Sequence, residues 1–275
     1  MLLLDWLILF AYLCGMLLLA AYVGRKQANS TDYFLAGRGM SSASLAASTM
    51  ATQCSTNSLL GAPAFVGFTL GGGLLWLQYE LAVPLAMAAL IWIIVPARQA
   101  RVTSIYEILE QRLGVASRRL ASAAFLLFRG VATGVTIYGV ALILSAILGL
   151  SFAWSVVLLM AITIFYDVLG GLRAVVLSDL IQLVLLVTAV WASVFLLADA
   201  TSWSAFFADR TDTLVNDWGF SGNDYGFWPM LIGGFFLYMA YYGCDQSQAQ
   251  RVLAADSDAG SQRVLLLNGL LRFPL

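Results

Sequence analysis

Side chains that carry oxygen cluster in one short stretch of an otherwise apolar sequence. In STMATQCSTNSLLGAPAF, residues 48–65, polar residues follow one another between apolar runs, in a chain that is 61% hydrophobic. Serine, threonine and asparagine side chains compete with the backbone for hydrogen bonds, so they favour local unwinding of a helix. Unwinding frees carbonyl oxygens, which are ligands for hard cations such as sodium. The stretch predicts a broken helix that binds a cation and faces a solute. The alternative is a helix interface of small residues joined by hydrogen bonds.

Two carboxylates lie inside apolar segments. Glu80 lies some seven residues, or about 10 Å, into its segment, and an ionisable group at that depth indicates a functional site. It is predicted to bind solute, unless it is an interfacial carboxylate turned to outer water. Asp179, with Ser178 beside it, lies near the inner end of another segment. It is predicted either to meet a cation or to pair with Arg173 or another inner basic residue.

The composition excludes several classes of chemistry. The chain has no histidine, which removes imidazole metal sites, Ser/His catalysis and histidine proton relays. Its three cysteines, Cys14, Cys54 and Cys244, form neither a CxxC pair nor an even disulfide set, and they are interpreted as packing residues. No nucleophile stands in register with a base, so the sequence does not indicate an enzyme. A net charge of −1 gives no sign of a nucleic-acid partner.

Hydropathy predicts an all-α polytopic membrane protein. Only 11% of residues are charged, and apolar segments of about 20 residues are long enough to cross the hydrocarbon core. The first segment is too long for a signal-peptide core and lacks a basic start, so it is interpreted as a retained span. The predicted spans are 3–23, 42–69, 74–95, 119–148, 153–169, 175–198 and 228–250, and an eighth begins near 262.

The basic residues predict the orientation of these spans. With the N-terminus outside, eleven of them fall in inner loops and only Arg210 falls outside, as the positive-inside rule requires. The predicted location is the inner membrane of a bacterium. TSIYEILEQRLG, residues 103–114, is typical of a short amphipathic helix lying on the inner face. The eleven inner residues are Arg25, Lys26, Arg38, Arg98, Arg101, Arg112, Arg118, Arg119, Arg173, Arg251 and Arg263.

Three stretches in register resemble the sodium:solute symporter family. They are DYFLAGRGM (32–40), GGLRAVVLSDLIQ (170–182) and YYGCDQSQAQRVLAA (241–255). The resemblance implies the inverted-repeat fold of the leucine transporter, in a single transmembrane domain. Because the chain ends within an apolar span, only the N-terminal portion of that fold is expected. The implied parts are a leading span at 3–23, a first repeat at 42–198 and the start of a second repeat at 228–275.

The same resemblance implies roles for individual residues. Backbone carbonyls of Ala51 and Cys54 correspond to ligands of the sodium site next to the substrate, and Asp179 with Ser178 to a second sodium site or the inner release path. Sugar carriers of the family usually have Glu and Gln where this chain has Asn57 and Ser58, which argues against a sugar. The inner-end residues Gln246, Gln250 and Arg251 are interpreted as structural. The residues implied to contact substrate are Asn57, Ser58, Glu80 and Tyr241, the last as an inner gate.

The resemblance implies sodium-coupled symport of a small organic solute by alternating access in a lipid bilayer. The alternatives are a non-transporting sensor module, an inactive fragment of a symporter, and a channel or facilitator without coupling. Replacement of sodium by choline would abolish solute accumulation by a symporter but not the flux through a channel.

Overall fold

Helices form nearly all of the regular structure that the chain adopts. A computed structural model describes residues 3–54, 57–68, 73–203, 215, 217–222 and 225–272. An isolated bridge pairs Met40 with Ala255. The α-helices are α1 Leu3–Gly24, α2 Ser30–Leu35, α3 Ser42–Gln53, α4 Ala62–Phe68, α5 Leu77–Glu80, α6 Ala82–Gln99, α7 Glu107–Leu113, α8 Val115–Leu148, α9 Phe152–Thr201, α10 Phe227–Cys244, α11 Gln246–Leu253 and α12 Asp258–Leu271.

The longest helices have the length and surface of membrane spans. Within the described residues, four segments are long and apolar enough to cross a bilayer: Leu3–Gly24, Leu74–Gln99, Val115–Leu148 and Phe152–Ala200. Large apolar side chains remain exposed along them, for example Trp92 at 84% and Leu120 at 74%. In water such a surface would be an interaction patch, whereas in lipid it needs no protein partner. The chain is a membrane protein, as its composition predicts.

The core surrounds α6. Its buried face carries Val83, Met87, Leu90 and Ile94, and it packs against α10 and α12. Helix α3 packs against α9 and α12, so α12 contacts both α6 and α3. Burial of these apolar faces leaves the neighbouring polar side chains in surroundings with little water.

The predicted spans at 153–169 and 175–198 are joined without an intervening loop. Helical backbone continues through α9 except at Gly171, whose φ of 56° and ψ of −171° interrupt it. Glycine adopts such a positive φ without steric cost, and a Cβ there would also crowd the Tyr33 carbonyl at 2.8 Å. The Gln27 amide donates to the Gly170 carbonyl at 2.5 Å. The chain therefore bends at Gly171, and α1 and α2 pack against the bend.

The predicted span at 228–250 is also divided. Helix α10 ends at Cys244, and α11 begins after Asp245, whose carboxylate accepts the backbone N–H of Ser247 at 2.8 Å. This is an N-cap, which ends one helix and starts the next. The cap explains why the helix is interrupted at Asp245.

The amphipathic helix predicted at 103–114 is confirmed over Glu107–Leu113. It starts later than expected because the Glu107 carboxylate accepts the N–H groups of Thr103 and Ser104, both at 3.2 Å. The preceding turn is held by Gln246, which accepts the Ile105 N–H at 3.0 Å and donates to the Thr103 carbonyl at 3.1 Å. Gln246 is thus a structural residue, as the sequence indicated.

Candidate functional site

The polar stretch at 48–65 is a broken helix. Helix α3 ends at Gln53, and Cys54 leaves helical geometry with ψ of 82°. A π-helical turn follows at Asn57–Gly61, and α4 resumes at Ala62 with Pro63 in its first turn, where a missing N–H costs little. Two predicted contributors to the break, Ser55 and Thr56, lie outside the described residues, as does the side chain of Asn57.

The break opens into a cavity of about 560 Å³. Ala51 and Cys54, whose carbonyls the family resemblance implies as sodium ligands, both line it. The Ala51 carbonyl accepts the Cys54 N–H at 3.1 Å, which leaves its second lone pair available. The lining also holds two carboxylates and two guanidinium groups, from Asp167, Asp179, Arg129 and Arg251. The cavity therefore brings residues at the start of the break together with side chains of both charges.

Asp179 is paired with Arg251 across the cavity wall. The Arg251 Nη2 donates to Asp179 Oδ2 at 2.9 Å, and the Ser48 hydroxyl donates to the same oxygen at 2.5 Å. The expected alternative partner, Arg173, is exposed. The Ser178 hydroxyl instead donates to the Val175 carbonyl of its own helix at 2.8 Å. The structure thus brings Asp179, but not the Ser178 hydroxyl, towards the cavity.

Glu80 forms a second buried ion pair, away from this cavity. Arg272 Nε lies 2.6 Å from Glu80 Oε2, with side chains 22% and 16% exposed, and Arg272 Nη2 donates to Oε1 at 2.8 Å. The Tyr238 hydroxyl accepts a further bond from Nη2 at 2.8 Å, and the guanidinium lies 4.7 Å from the Tyr238 ring centre. Glu80 is turned into the protein rather than to outer water.

Two other predicted substrate residues also lie outside the lining of the cavity. The Tyr241 hydroxyl accepts from Gln248 at 3.0 Å, and its ring meets that of Tyr242 edge-on at 5.3 Å. Ser58 is exposed, and its hydroxyl donates to the Gln53 carbonyl at 3.2 Å across the break. The substrate roles of Ser58, Glu80 and Tyr241 stay predictions, as do the sodium roles of Ala51, Cys54, Asp179 and Ser178.

Three basic residues at these sites were missed or given a lesser role by sequence reasoning. Arg129 and Arg272 stand within apolar segments, and that position alone is a signal of function. Arg251 was assigned a structural role at an inner helix end, yet it is 5% exposed and binds Asp179. Arg129 Nη1 pairs with Asp245 Oδ2 at 2.9 Å. The sequence did offer a signal for these residues, because positively and negatively charged side chains inside membrane spans indicate functional sites.

Comparison with known proteins identifies the class. The sequence model of the sodium:solute symporter family matches residues 33–268, and the chain belongs to that family. It is 31% identical to the mouse (Mus musculus) sodium-coupled monocarboxylate transporter 1 over 94% of this chain and 44% of that protein. It is 28% identical to the sodium/sialic acid symporter SiaT of Proteus mirabilis over 97% of this chain and 55% of that protein.

The fold comparison agrees with this assignment. A solved substrate-bound, outward-open structure of a Na⁺-coupled sialic acid symporter superposes with a TM-score of 0.87 at 25% identity, covering 98% of this chain and 58% of that one. The predicted fold, the N-terminal portion of a leucine-transporter-like protein, is thereby confirmed. The chain spans 38% to 55% of the length of the curated relatives it matches.

Proposed function

We propose that the chain takes part in sodium-coupled secondary transport of a small organic solute by alternating access, with the broken helix at its centre. The observation that carries the proposal is the cavity that joins Ala51 and Cys54, at the start of the break, to the carboxylate of Asp179. Carbonyl and carboxylate oxygens beside an interrupted membrane helix form the usual cation site of secondary transporters.

The energy of sodium entry is sufficient for such transport. Each sodium driven inward releases about 2.3 kcal/mol per 100 mV and about 1.4 kcal/mol per tenfold concentration gradient. Together these support a solute gradient of about 500-fold per ion. Coupling requires that sodium and solute favour the same conformers.

A carboxylate is the solute class that the cavity and the relatives favour. The two relatives described above are named for monocarboxylates and sialic acid, which are carboxylic acids. The cavity lining includes Arg129, whose side chain is 35% exposed and retains donors beyond its bond to Asp245. A guanidinium binds a carboxylate in a two-point geometry. Arg129 is thus the proposed anchor for the solute.

The proposed setting is the inner membrane of a bacterium, with the N-terminus outside and residues 42–198 and 228–275 as parts of the two inverted repeats. The distribution of basic residues supports the orientation. A single cysteine introduced by Ser30→Cys, an exposed position, tests it in a cysteine-free background. Labelling of that cysteine by an impermeant reagent from the periplasmic side of intact cells would contradict the proposed orientation.

The transport proposal is tested with the purified chain in liposomes. An inward sodium gradient is expected to drive uptake of labelled monocarboxylate or sialic acid, and an equal choline gradient is not. Arg129→Gln should raise the half-saturating solute concentration while leaving the half-saturating sodium concentration near the wild-type value. Arg119→Gln is the matched control, because Arg119 lies on the same helix but is exposed. Solute uptake that is equal in choline would indicate a channel or facilitator.

Absence of uptake together with intact sodium binding would contradict transport by this chain alone. It would favour the alternatives of a non-transporting sensor module or an inactive symporter fragment. Sodium binding is read independently, from the sodium dependence of thermal unfolding in detergent, because a ligand that binds only the folded state raises the unfolding temperature.

A further inference from the structure

The environment of Asp179 is built from oxygens that a cation could share. Its Oδ2 accepts from Ser48 at 2.5 Å, from Arg251 Nη2 at 2.9 Å and, more weakly, from Thr52 at 3.5 Å. Ser48 is fully buried, and Asp179 and Arg251 are 8% and 5% exposed. The carboxylate therefore depends on its immediate partners, rather than on water, to balance its charge.

Arg251 is held in this position by three separate bonds. Its Nε donates to the Ser48 hydroxyl at 2.8 Å and its Nη2 to Asp179, while Nη1 donates to the Ser247 carbonyl of its own helix. Ser48 belongs to α3, Asp179 to α9 and Arg251 to α11. One guanidinium thus connects the first half of the broken helix to two other helices.

The guanidinium and a sodium ion would compete for this place. Asp179, Thr52 and Arg251 line the same cavity as the carbonyl positions Ala51 and Cys54. Sodium placed on the Asp179 oxygen that Arg251 already holds would bring two positive charges side by side with little water to screen them. Sodium bound at Asp179 therefore requires that Arg251 withdraw, and the departure of sodium lets Arg251 return.

We propose that Arg251 is a built-in substitute for sodium at Asp179. This inference rests on the proposed function, since it assumes that sodium enters the cavity. The substitute has a clear physical use, because a symporter must also change conformation without its ion. A buried carboxylate left unpaired in that step would carry a large desolvation cost, and Arg251 removes this cost. Exchange of guanidinium for sodium also releases α11 from α3 and α9.

The other charged groups of the cavity are accounted for separately. Arg129 is paired with Asp245 at 2.9 Å. Asp167 lines the cavity as a second carboxylate, so it is the competing candidate for a sodium ligand. Arg173 lies on the same helix as Asp179 but is exposed, which makes it a matched control for the removal of positive charge.

The test measures sodium-dependent thermal unfolding of the purified chain in nanodiscs, with choline chloride keeping the ionic strength constant. Arg251→Gln is expected to lower the half-maximal sodium concentration by at least about fivefold, the smaller end of usual coupling between sites. It should also enlarge the rise in unfolding temperature at saturating sodium. Asp179→Asn should abolish the sodium response, both in the otherwise wild-type chain and in the chain that carries Arg251→Gln. Arg173→Gln should behave as wild type.

Several results would overturn the inference. If the half-maximal sodium concentration of Arg251→Gln equals or exceeds that of wild type, the guanidinium does not compete with sodium. A response that survives Asp179→Asn but is lost in Asp167→Asn would assign the ion to the other carboxylate. If sodium has no effect on any variant or on wild type, the proposed function fails together with the inference. A normal wild-type response with no gain in Arg251→Gln removes only the inference.

The sodium dependence of thermal unfolding can still be measured if Arg251→Gln makes the protein less stable. Even a variant that unfolds early in choline should recover in sodium, because sodium would then supply the missing charge. Arg251→Lys keeps a positive charge and serves as the second variant. It should need more sodium than Arg251→Gln, and a sodium requirement equal to that of Arg251→Gln would contradict competition by charge.

Discussion

The Glu80–Arg272 and Asp179–Arg251 ion pairs have the same chemistry but different surroundings. Glu80 receives Arg272 at both oxygens, at 2.6 and 2.8 Å, and the ring of Tyr238 covers the guanidinium. Asp179 receives Arg251 at one oxygen only, beside the hydroxyl of Ser48 and on the wall of a cavity. The first pair is a closed two-point contact under an aromatic ring, whereas the second is a one-point contact on the wall of a cavity.

The difference indicates which pair can exchange its cation. Replacing Arg272 at Glu80 would lose its hydrogen bond to Oε1, its ion-pair contact with Oε2 and its bonds to the hydroxyls of Tyr238 and Tyr242. The Tyr79 and Tyr238 rings, which stack at 5.9 Å, also cover this pair. Replacing Arg251 at Asp179 breaks one bond to the carboxylate, and the hydroxyls of Ser48 and Thr52 remain. Whether the arginine of a buried ion pair can be replaced by another cation therefore depends on the groups that surround the pair.

The largest effect is expected on removing half of the closed pair. Glu80→Gln leaves the Arg272 guanidinium buried without a carboxylate, which should lower the free energy of unfolding by about 3 kcal/mol. The double variant Glu80→Gln/Arg272→Met should recover most of that loss, because no charge is then left unpaired. Denaturant unfolding in detergent measures both.

Glu110→Gln provides the control for this comparison. Glu110 pairs with Arg118 on the surface, with side chains 35% and 41% exposed, so its loss should shift the unfolding curve much less than the loss of Glu80 does. If Glu80→Gln were as mild as Glu110→Gln, the pair with Arg272 would not be the closed connection described above.

The next prediction compares how a substitution in each ion pair affects the concentrations of solute and of sodium that transport requires. On the solute-binding role that the sequence predicts for Glu80, Glu80→Gln should raise the half-saturating solute concentration in sodium-driven uptake about tenfold, or about 1.4 kcal/mol, with a smaller change for sodium. Asp179→Asn should have the reverse pattern, because its carboxylate lies beside the proposed ion. Equal and small effects of both variants on solute and sodium would refute this division of roles.

A smaller effect is expected on losing the hydroxyl that supports the exchangeable pair. Ser48→Ala removes a donor to Asp179 and an acceptor from Arg251, so it should cost about 1.5 kcal/mol of stability, as hydrogen bonds to charged groups do. The adjacent control is Thr49→Val, since the Thr49 hydroxyl donates only to the Leu45 carbonyl of its own helix at 2.7 Å. Unfolding curves that coincide for the two variants would mean that Ser48 does not support the pair.

The smallest effect tests what covers the closed pair. Tyr238→Phe removes the hydroxyl that accepts from Arg272 but keeps the ring, so a loss of about 1 kcal/mol is expected. Tyr138→Phe, at an exposed position, is the control and should leave stability unchanged. A loss larger than that of Ser48→Ala would mean that the hydroxyl, rather than the two-point contact, holds Arg272. Thermal unfolding of the three variants side by side gives the ranking.

Most of the architecture was accessible from the sequence because its causes are local. Long apolar segments predicted the spans, and the polar residues after Ser48 predicted the break that follows Gln53. The errors were also local in origin. A loop was expected near Gly171 because two spans were counted, and one glycine at φ 56° proved sufficient to interrupt the helix. The N-cap formed by Asp245 divides the next predicted span into two helices, and a hydropathy pattern does not detect such a cap.

The sequence by itself determined the membrane class, the broken helix and the symporter family, because hydrophobicity, backbone hydrogen bonding and signature residues are properties of short segments. Only the tertiary structure decided which buried charges meet. Arg251 reaches Asp179 over 72 residues of sequence, and Arg272 reaches Glu80 over 192. Such pairing depends on how distant helices pack, and an arginine in a helix can satisfy its charge equally well with any carboxylate that packing brings within reach.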